Sequence, residues 1–151
     1  MKKPGVKIFV VFDKKILLIL RDNDSEIPSP NTWNLPGGGI EENETTENAA
    51  KRELREEINI IPKNLIYLGT QTYNDGSVVE RYLAKITEEE HKHIKLGREG
   101  QKLDFFSIDE TVSLNLSNYF KEYLNKYSDQ IKTLIESNRA ISPESLGLRK
   151  Q

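Results

Sequence analysis

Three glutamates lie within five consecutive positions of the chain, shortly after a run of glycines at 37–39. They are Glu53, Glu56 and Glu57. In an α-helix, which turns by about 100° per residue, their side chains share one arc of about 100°. Carboxylates about 6 Å apart repel by about 3 kcal/mol per pair at an effective dielectric near 20. A divalent cation offsets this repulsion, because Mg²⁺ takes carboxylate and phosphate oxygens as ligands. The spacing therefore indicates a metal site, or a solvated helix face with ordinary ion pairs.

The helix that carries these glutamates is predicted over residues 46–58. Thr45 is a suitable N-cap, and Asn59 stands where helices commonly end in a left-handed residue. Pro62 then prevents the helix from continuing. The arc beside the carboxylates is apolar and consists of Ala50, Leu54, Ile58 and Ile61. The carboxylate face therefore borders the predicted core and is expected to line a cleft.

Apolar runs and turn residues predict two β-hairpins and a further strand. Residues 6–12 and 16–20 form the first hairpin, and residues 65–73 and 78–86 form the second. The first hairpin is continuously apolar, which predicts strands covered on both faces. Residues 103–108 are predicted as a short strand. Strands with helices between and after them indicate an α/β fold with a mixed sheet.

The C-terminal part of the chain is predicted to be helical and then loose. After a charged connector at 87–101, apolar residues recur at a spacing of three and four over residues 117–138. This apolar stripe either packs on the core or forms a dimer contact. We expect one domain over residues 1–140 and a loose polar tail over 141–151.

The composition excludes several classes of function. The 151 residues are 36% hydrophobic and 30% charged, with a formal net charge of −2, which argues against general nucleic-acid binding and against a membrane surface. The chain has no cysteine, which excludes thiol chemistry. The longest apolar runs, at 8–12 and 16–20, are too short to span a bilayer, and no signal peptide is recognised, so we expect a cytoplasmic protein. His91 and His93 are interpreted as surface residues.

The glutamates belong to a longer pattern with fixed spacing. It consists of Gly38, Glu44, Arg52-Glu53-Leu54, Glu56-Glu57 and Asn59-Ile60. This resembles the Nudix box, G-x5-E-x7-R-E-U-x-E-E-x-G-U, in which U is a bulky aliphatic residue. Only the last glycine differs, because Asn59 replaces it, and asparagine adopts the same left-handed cap at modest cost. The LPGGG segment before the box and the EGQ segment at 99–101 are also similar to this family, and the resemblance covers about residues 6–125.

The resemblance implies a Nudix-type α/β/α sandwich with a mixed β-sheet. It also implies hydrolysis of a nucleoside diphosphate linked to another group X, with Mg²⁺ or Mn²⁺ as cofactor. Arg52 would orient the acidic residues and Glu44 would support them from the helix start. Glu99 would act as a base or as an extra ligand. The implied metal ligands are the carbonyl of Gly38 and the carboxylates of Glu53, Glu56, Glu57 and Glu99.

Three further residues are candidates for substrate binding, each with an alternative role. Arg21 either binds phosphate or pairs with a surface acid. Trp33 either stacks on a base or packs in the core. Asn118 matches a base-reading amide of MutT-like proteins, although Asn115 competes for that role and a helix-capping role is equally compatible.

The EGQ segment favours a nucleoside triphosphate as substrate, including an oxidised purine such as 8-oxo-dGTP, with release of monophosphate and pyrophosphate. ADP-ribose, a dinucleoside polyphosphate or a nucleotide sugar stays an alternative, as does a non-catalytic nucleotide-binding module on the same fold. The expected partner is thus a nucleotide-type diphosphate, and the protein is expected to be a monomer or a homodimer.

Overall fold

A computed structural model describes residues 3–150. In this part of the chain, seven strands form one mixed sheet with helices on both faces, which confirms the predicted α/β fold. The strands are β1 (Gly5–Phe12), β2 (Lys15–Leu20), β3 (Trp33–Asn34), β4 (Gly37–Gly39), β5 (Ile66–Thr72), β6 (Val78–Lys85) and β7 (Lys102–Phe106). The helices are α1 (Thr46–Ile58), α2 (Glu88–Lys92), α3 (Ile108–Thr111) and α4 (Asn118–Glu136).

The central strand β1 connects the two predicted hairpins. It pairs antiparallel with β2 and parallel with β6, which gives the order β3-β2-β1-β6-β5, while β4 pairs with β1 and β7 pairs with β2. Asp13 and Lys14 turn the first hairpin with φ values of 52° and 62°. These are the positive φ values that a tight two-residue hairpin turn requires. The register places Lys7 of β1 between Gly37 of β4 and Arg81 of β6.

Each face of the sheet has its own hydrophobic core, because alternate strand residues point to opposite faces. On β1, Val6 and Ile8 pack in the cluster with α1, whereas Phe9 and Val11 pack in the cluster with α4. We call these two sides the α1 face and the α4 face. The prediction that the first hairpin is covered on both sides is confirmed.

The apolar stripe of α4 packs on the core of the same chain. Its buried residues include Phe120, Leu124, Ile131, Leu134 and Ile135. These side chains contact the α4-face cluster of the sheet. Of the two alternatives for this stripe, packing on the core is therefore the one that the structure contains.

The segment after Ala140 is packed on the fold, so the expectation of a loose tail was wrong. Leu146 and Leu148 are only 1% and 4% exposed, and both belong to the α4-face core. Backbone hydrogen bonds of 2.8 and 2.9 Å join Arg149 to Thr70 at the edge of the sheet. The expectation rested on polarity and missed two leucines that alternate with Gly147, whose φ is 68°.

Two short helices were not predicted from the sequence. Helix α2 lies inside the charged connector, and α3 follows β7. Both begin with a reciprocal capping box, formed by Thr87 with Glu90 and by Ser107 with Glu110. That four-residue signature was present in the sequence. Within residues 3–150, no helix combines the length and apolarity needed to cross a membrane.

Candidate active site

Helix α1 has the predicted ends, and these ends fix the direction of its carboxylates. The Thr45 hydroxyl accepts a hydrogen bond from the Asn48 N–H at 3.1 Å. Asn59 ends the helix with φ 68° and ψ 17°, the left-handed cap expected for the position where the Nudix pattern has glycine. Leu54 and Ile58 are buried and hold the helix on the sheet. The predicted bounds of residues 46–58 are confirmed.

Arg52 connects the acidic residues to one another and to the glycine segment. Its guanidinium donates to both carboxylate oxygens of Glu44, at 2.8 and 3.0 Å. It also donates to Glu53 at 3.0 Å and to the Gly39 carbonyl at 3.0 Å. Glu56 lies 3.6 Å from the same guanidinium. One partly buried side chain therefore fixes the positions of Glu44 and Glu53 and lies beside Glu56.

Glu44 is ionised over almost the whole pH range. Its hydrogen bonds with Arg52, assisted by the Glu41 backbone N–H, lower its pKa to about 2. The same contacts raise the pKa of Arg52 above its usual range. This permanently charged pair supports the start of the helix, which is the position predicted for Glu44.

Glu57 lies deeper in the cleft than Glu53 and Glu56. Its carboxylate accepts a hydrogen bond from the Gly37 N–H at 2.7 Å, where Gly37 has a φ of 141°. Burial raises the pKa of Glu57 to about 7, against the opposing charge of nearby Lys7. Burial also raises the pKa of Glu53. Two carboxylates of the cluster thus lie where negative charge is poorly solvated.

Gly38 leaves room for the carboxylate of Glu53. A Cβ atom at Gly38 would lie 2.5 Å from Glu53 Oε1, so any other residue there would displace this side chain. The glycine therefore allows the backbone and the helix to approach each other closely. Its carbonyl is the predicted backbone ligand, and that assignment stays a prediction.

The donor set suits a hard divalent cation in its chemistry, because it offers carboxylate and backbone carbonyl oxygens. The carboxylates do not, however, converge on one point. In the described part of the chain, no three acidic or histidine side chains stand close enough together to hold a metal ion. Glu56 is 57% exposed, and its carboxylate lies 3.6 Å from the Arg52 guanidinium. The assignment of these residues as metal ligands stays a prediction.

The loop that contains the EGQ segment packs against the end of α1 and against Arg21. The Gly97 N–H donates to the Glu57 carbonyl at 2.9 Å, and a Cβ at Gly97 would lie 2.1 Å from the Glu56 carbonyl. Gln101 donates to the Arg21 carbonyl at 2.8 Å. Glu99, which is exposed, lies near enough to contribute to the raised pKa of Glu57. The predicted fourth carboxylate therefore lies near Glu57, and its role as a base or ligand stays a prediction.

Arg21 is partly buried at the end of β2, on the side of the cleft occupied by Lys7. Its Nε is buried and has no hydrogen-bond partner in the described part of the chain. A buried donor without an acceptor favours an oxygen ligand at this position. This observation supports the phosphate-binding alternative for Arg21 over a surface ion pair.

The structure does not bring Trp33 and Asn118 into the site. Trp33 is 9% exposed and packs edge-to-face on Phe106, with ring centroids 4.9 Å apart. Its geometry is that of the packing alternative. Asn118 is the exposed first residue of α4, and its neighbours Tyr119 and Phe120 line a pocket instead. A substrate-binding role for either residue stays a prediction.

Sequence reasoning missed two cations on the α4 face. Lys7 and Arg81 are paired across β1 and β6 and line a pocket of about 260 Å³ beside the cleft. Burial lowers the pKa of Lys7, and its ammonium donates to the Leu35 carbonyl at 3.3 Å. The available signal was a charged residue at a core-facing position in each of two apolar strands.

Comparisons with known proteins agree with the box pattern. The family described as NUDIX domain matches residues 1–127. An ADP-ribose pyrophosphatase of Methanocaldococcus jannaschii is 34% identical over 106 residues, which are 68% of this chain and 60% of that protein. The nucleoside triphosphatase NudI of Escherichia coli is 30% identical over 99 residues, which are 58% of this chain and 70% of that protein. The chain thus spans less than two thirds of the archaeal relative.

Solved structures share the fold. A MutT NUDIX hydrolase of Burkholderia pseudomallei superposes with a TM-score of 0.59 at 28% identity, covering 71% of this chain and 84% of that one. The NUDIX domain of Shewanella oneidensis NrtR, solved with ADP ribose, gives a TM-score of 0.65 at 20% identity, covering 87% and 89% of the two chains. The second likeness shows the fold alone.

Proposed function

Because the chain belongs to the NUDIX domain family, we propose that it hydrolyses a nucleoside diphosphate linked to a second group X, with a divalent metal held at helix α1. The observation that carries this proposal is the Arg52 network. It fixes Glu44 and Glu53 by hydrogen bonds and lies beside Glu56, at the point where Gly38 lets backbone and helix meet.

The residues that would hold the metal, Mg²⁺ or Mn²⁺, are the predicted ones. They are the carbonyl of Gly38 and the carboxylates of Glu53, Glu56, Glu57 and Glu99. A bound metal neutralises phosphate charge and lowers the pKa of water. Lys7 and Arg21 would contact the diphosphate, because Lys7 lies near Glu57, and Arg21 lies near Lys7 with a buried Nε that has no acceptor in residues 3–150.

Hydrolysis adds one water across the P–O–P bridge. The water oxygen forms a bond to one phosphorus, the bridging P–O bond breaks with its electron pair on the departing phosphate, and a carboxylate of the cluster accepts the proton. Because Arg52 stays protonated, it is a positioning residue here, not a proton donor. Glu44 likewise serves to hold Arg52.

A nucleoside triphosphate is the substrate class we favour, with nucleoside monophosphate and pyrophosphate as products. The EGQ segment supports it, because Gln101 donates to the Arg21 carbonyl, Gly97 just before the segment donates to the Glu57 carbonyl, and Glu99 lies near Glu57. The relative NudI, named a nucleoside triphosphatase, points to the same class.

ADP-ribose is the second candidate, on the strength of the archaeal relative named an ADP-ribose pyrophosphatase. Both candidates share the diphosphate and differ in the group X. Both would therefore bind α1 through the diphosphate in the same way, and they would differ in the contacts that the group X makes beside it.

The test is release of pyrophosphate from the four common nucleoside triphosphates and 8-oxo-dGTP, and of the nucleotide product from ADP-ribose, diadenosine polyphosphates and nucleotide sugars, each with Mg²⁺ and with EDTA. Metal-dependent turnover of a triphosphate to monophosphate and pyrophosphate supports the favoured class. Turnover of ADP-ribose alone supports the second candidate. Binding of nucleotides without turnover of any compound would leave a non-catalytic module.

A further inference from the structure

The segment that leads from α2 to β7 is tied to the end of α1. We call this segment, residues 93–101, the strap. The Lys95 N–H donates to the Ile58 carbonyl at 3.1 Å, and the Gly97 N–H donates to the Glu57 carbonyl at 2.9 Å. Both carbonyls belong to the last turn of α1, where the helix itself supplies no donor. The strap therefore completes the hydrogen bonding at the end of the helix that carries the acidic cluster.

A side-chain amide adds a further bond at this end of the strap. Asn59 Nδ2 donates to the His93 carbonyl at 3.1 Å. The Nudix pattern has glycine at this position, and glycine has no side chain with which to make that bond. The left-handed cap, with φ 68°, is open to both residues. The departure from the pattern therefore keeps the cap and adds a contact to the strap.

A second side-chain amide ties the other end of the strap to the end of β2. Gln101 Nε2 donates to the Arg21 carbonyl at 2.8 Å and to Asn31 Oδ1 at 2.9 Å. The neighbouring Gly100 N–H donates to Asp22 Oδ2 at 3.3 Å. The strap is thus held on both sides of its two exposed residues at 98 and 99.

Close packing limits the positions that the strap can take. A Cβ at Gly97 would lie 2.1 Å from the Glu56 carbonyl, so the strap backbone lies directly against α1. Gly100 has a φ of 96°, a conformation that residues with a side chain rarely adopt. Glycine at these two positions lets the strap follow the helix and then turn towards β2.

Glu99 lies on the strap between its two attachments. Its carboxylate is near enough to Glu57 to contribute to the raised pKa of that residue. Glu99 is exposed, and an exposed glutamate samples several rotamers, so the path of its backbone decides how often the carboxylate lies near the cluster. A backbone that is ordered before the substrate binds lowers the entropy that the reaction has to remove.

We propose that Asn59 and Gln101 are positioning residues, whose side-chain amides hold the strap in place and thereby direct Glu99 to the reacting diphosphate. The inference rests on the proposed function, in which Glu99 is a base or a metal ligand. Neither amide touches the substrate, and both affect hydrolysis through Glu99.

Hydrogen exchange of the full chain tests the structural half of this inference without any need for turnover. Asn59→Gly keeps the left-handed cap and removes the amide, and Gln101→Ala removes the amide at the other end. We expect the backbone amides at 95, 97 and 101 to exchange about fivefold faster in both variants, the scale of one lost hydrogen bond. The amides of β1 should keep their wild-type rates.

A double-mutant cycle with Glu99→Gln tests the catalytic half. We expect each amide variant to lower kcat for the best substrate about fivefold when Glu99 is present, with the fold retained by circular dichroism. In the Glu99→Gln background, the same changes should leave kcat where Glu99→Gln alone puts it, because residues that act through one another are not additive.

Two matched controls make the same exchanges away from the strap. Asn43→Gly replaces another exposed asparagine with positive φ, 65°, and Gln130→Ala replaces an exposed glutamine of α4. Both controls should keep the wild-type kcat and the wild-type exchange of the strap.

Wild-type kcat in both amide variants would overturn the inference. An equal fall of kcat in the presence and in the absence of the Glu99 carboxylate would also overturn it, because the amides would then act on the fold alone. Either result, with hydrolysis by the wild type, leaves the proposed function standing. A wild type that hydrolyses no compound of the panel would instead overturn the proposed function, and the positioning role with it.

Discussion

The two faces of the sheet build their polar features in different ways. On the α1 face, the acidic cluster comes from one continuous segment, in which a single arginine contacts Glu44, Glu53 and Glu56. On the α4 face, the pocket is assembled from β1, β3, β6 and α4. Arg81 contacts Gln71 only because β5 and β6 pair. Contacts within a helix follow from spacing, whereas contacts across strands require the topology.

The largest effect is expected on catalysis, when a carboxylate of the α1 face loses its charge. Glu57→Gln keeps the size of the side chain and an acceptor for the Gly37 N–H, but removes the charge from a predicted metal ligand. We expect kcat for the best substrate to fall about 10³-fold with the fold intact. Steady-state rates measure kcat, and circular dichroism shows whether the fold is intact. Glu47→Gln, an exposed glutamate of the same helix, is the matched control, and equal rates for both variants would contradict the assignment.

The next largest effect is expected on stability, when a buried leucine of the C-terminal segment is removed from the α4-face core. Leu146→Ala removes a fully buried side chain from the α4-face core. We expect the free energy of unfolding to fall by about 3 kcal/mol, as for other buried leucines. Urea denaturation measures it, with exposed Glu144→Ala as the control. An unchanged midpoint for Leu146→Ala would mean that the segment does not pack on the core in solution.

These two regions also show how far sequence reasoning reached. The bounds of α1, the left-handed cap at Asn59 and the two hairpins followed from local signals. The packed tail did not, because Leu146 and Leu148 become apolar contacts only once α4 and β5 lie beside them. The orientation of Lys7 and Arg81 into one pocket depends on the parallel register of β1 and β6, which no local pattern encodes.

A smaller effect should come from changing how Arg52 holds its neighbours. Arg52→Lys keeps the positive charge but cannot bind both oxygens of Glu44 while reaching Glu53. If Arg52 positions the ligands, the Mg²⁺ concentration for half-maximal activity should rise about tenfold, as for other residues that orient metal ligands. Activity measured across a Mg²⁺ series shows this shift. Arg55→Lys, an exposed arginine on the same helix, should leave it unchanged, and a fall in rate without any change in Mg²⁺ dependence would count against positioning.

The smallest effect concerns the pH dependence of the Glu44–Arg52 pair. Glu44 has a folded-state pKa of about 2, below the value of about 4.3 for an unfolded chain. A lowered pKa contributes stability above the unfolded value, and this contribution is lost as pH falls through the folded value. The stability difference between the wild type and Glu44→Gln should therefore be constant above about pH 5 and shrink between about pH 4 and pH 2. Urea midpoints of both proteins, measured in EDTA at each pH, give this difference and cancel the groups that titrate in both. A difference that stays constant down to pH 2 would show that Glu44 does not draw its stabilising effect from the charged contact with Arg52.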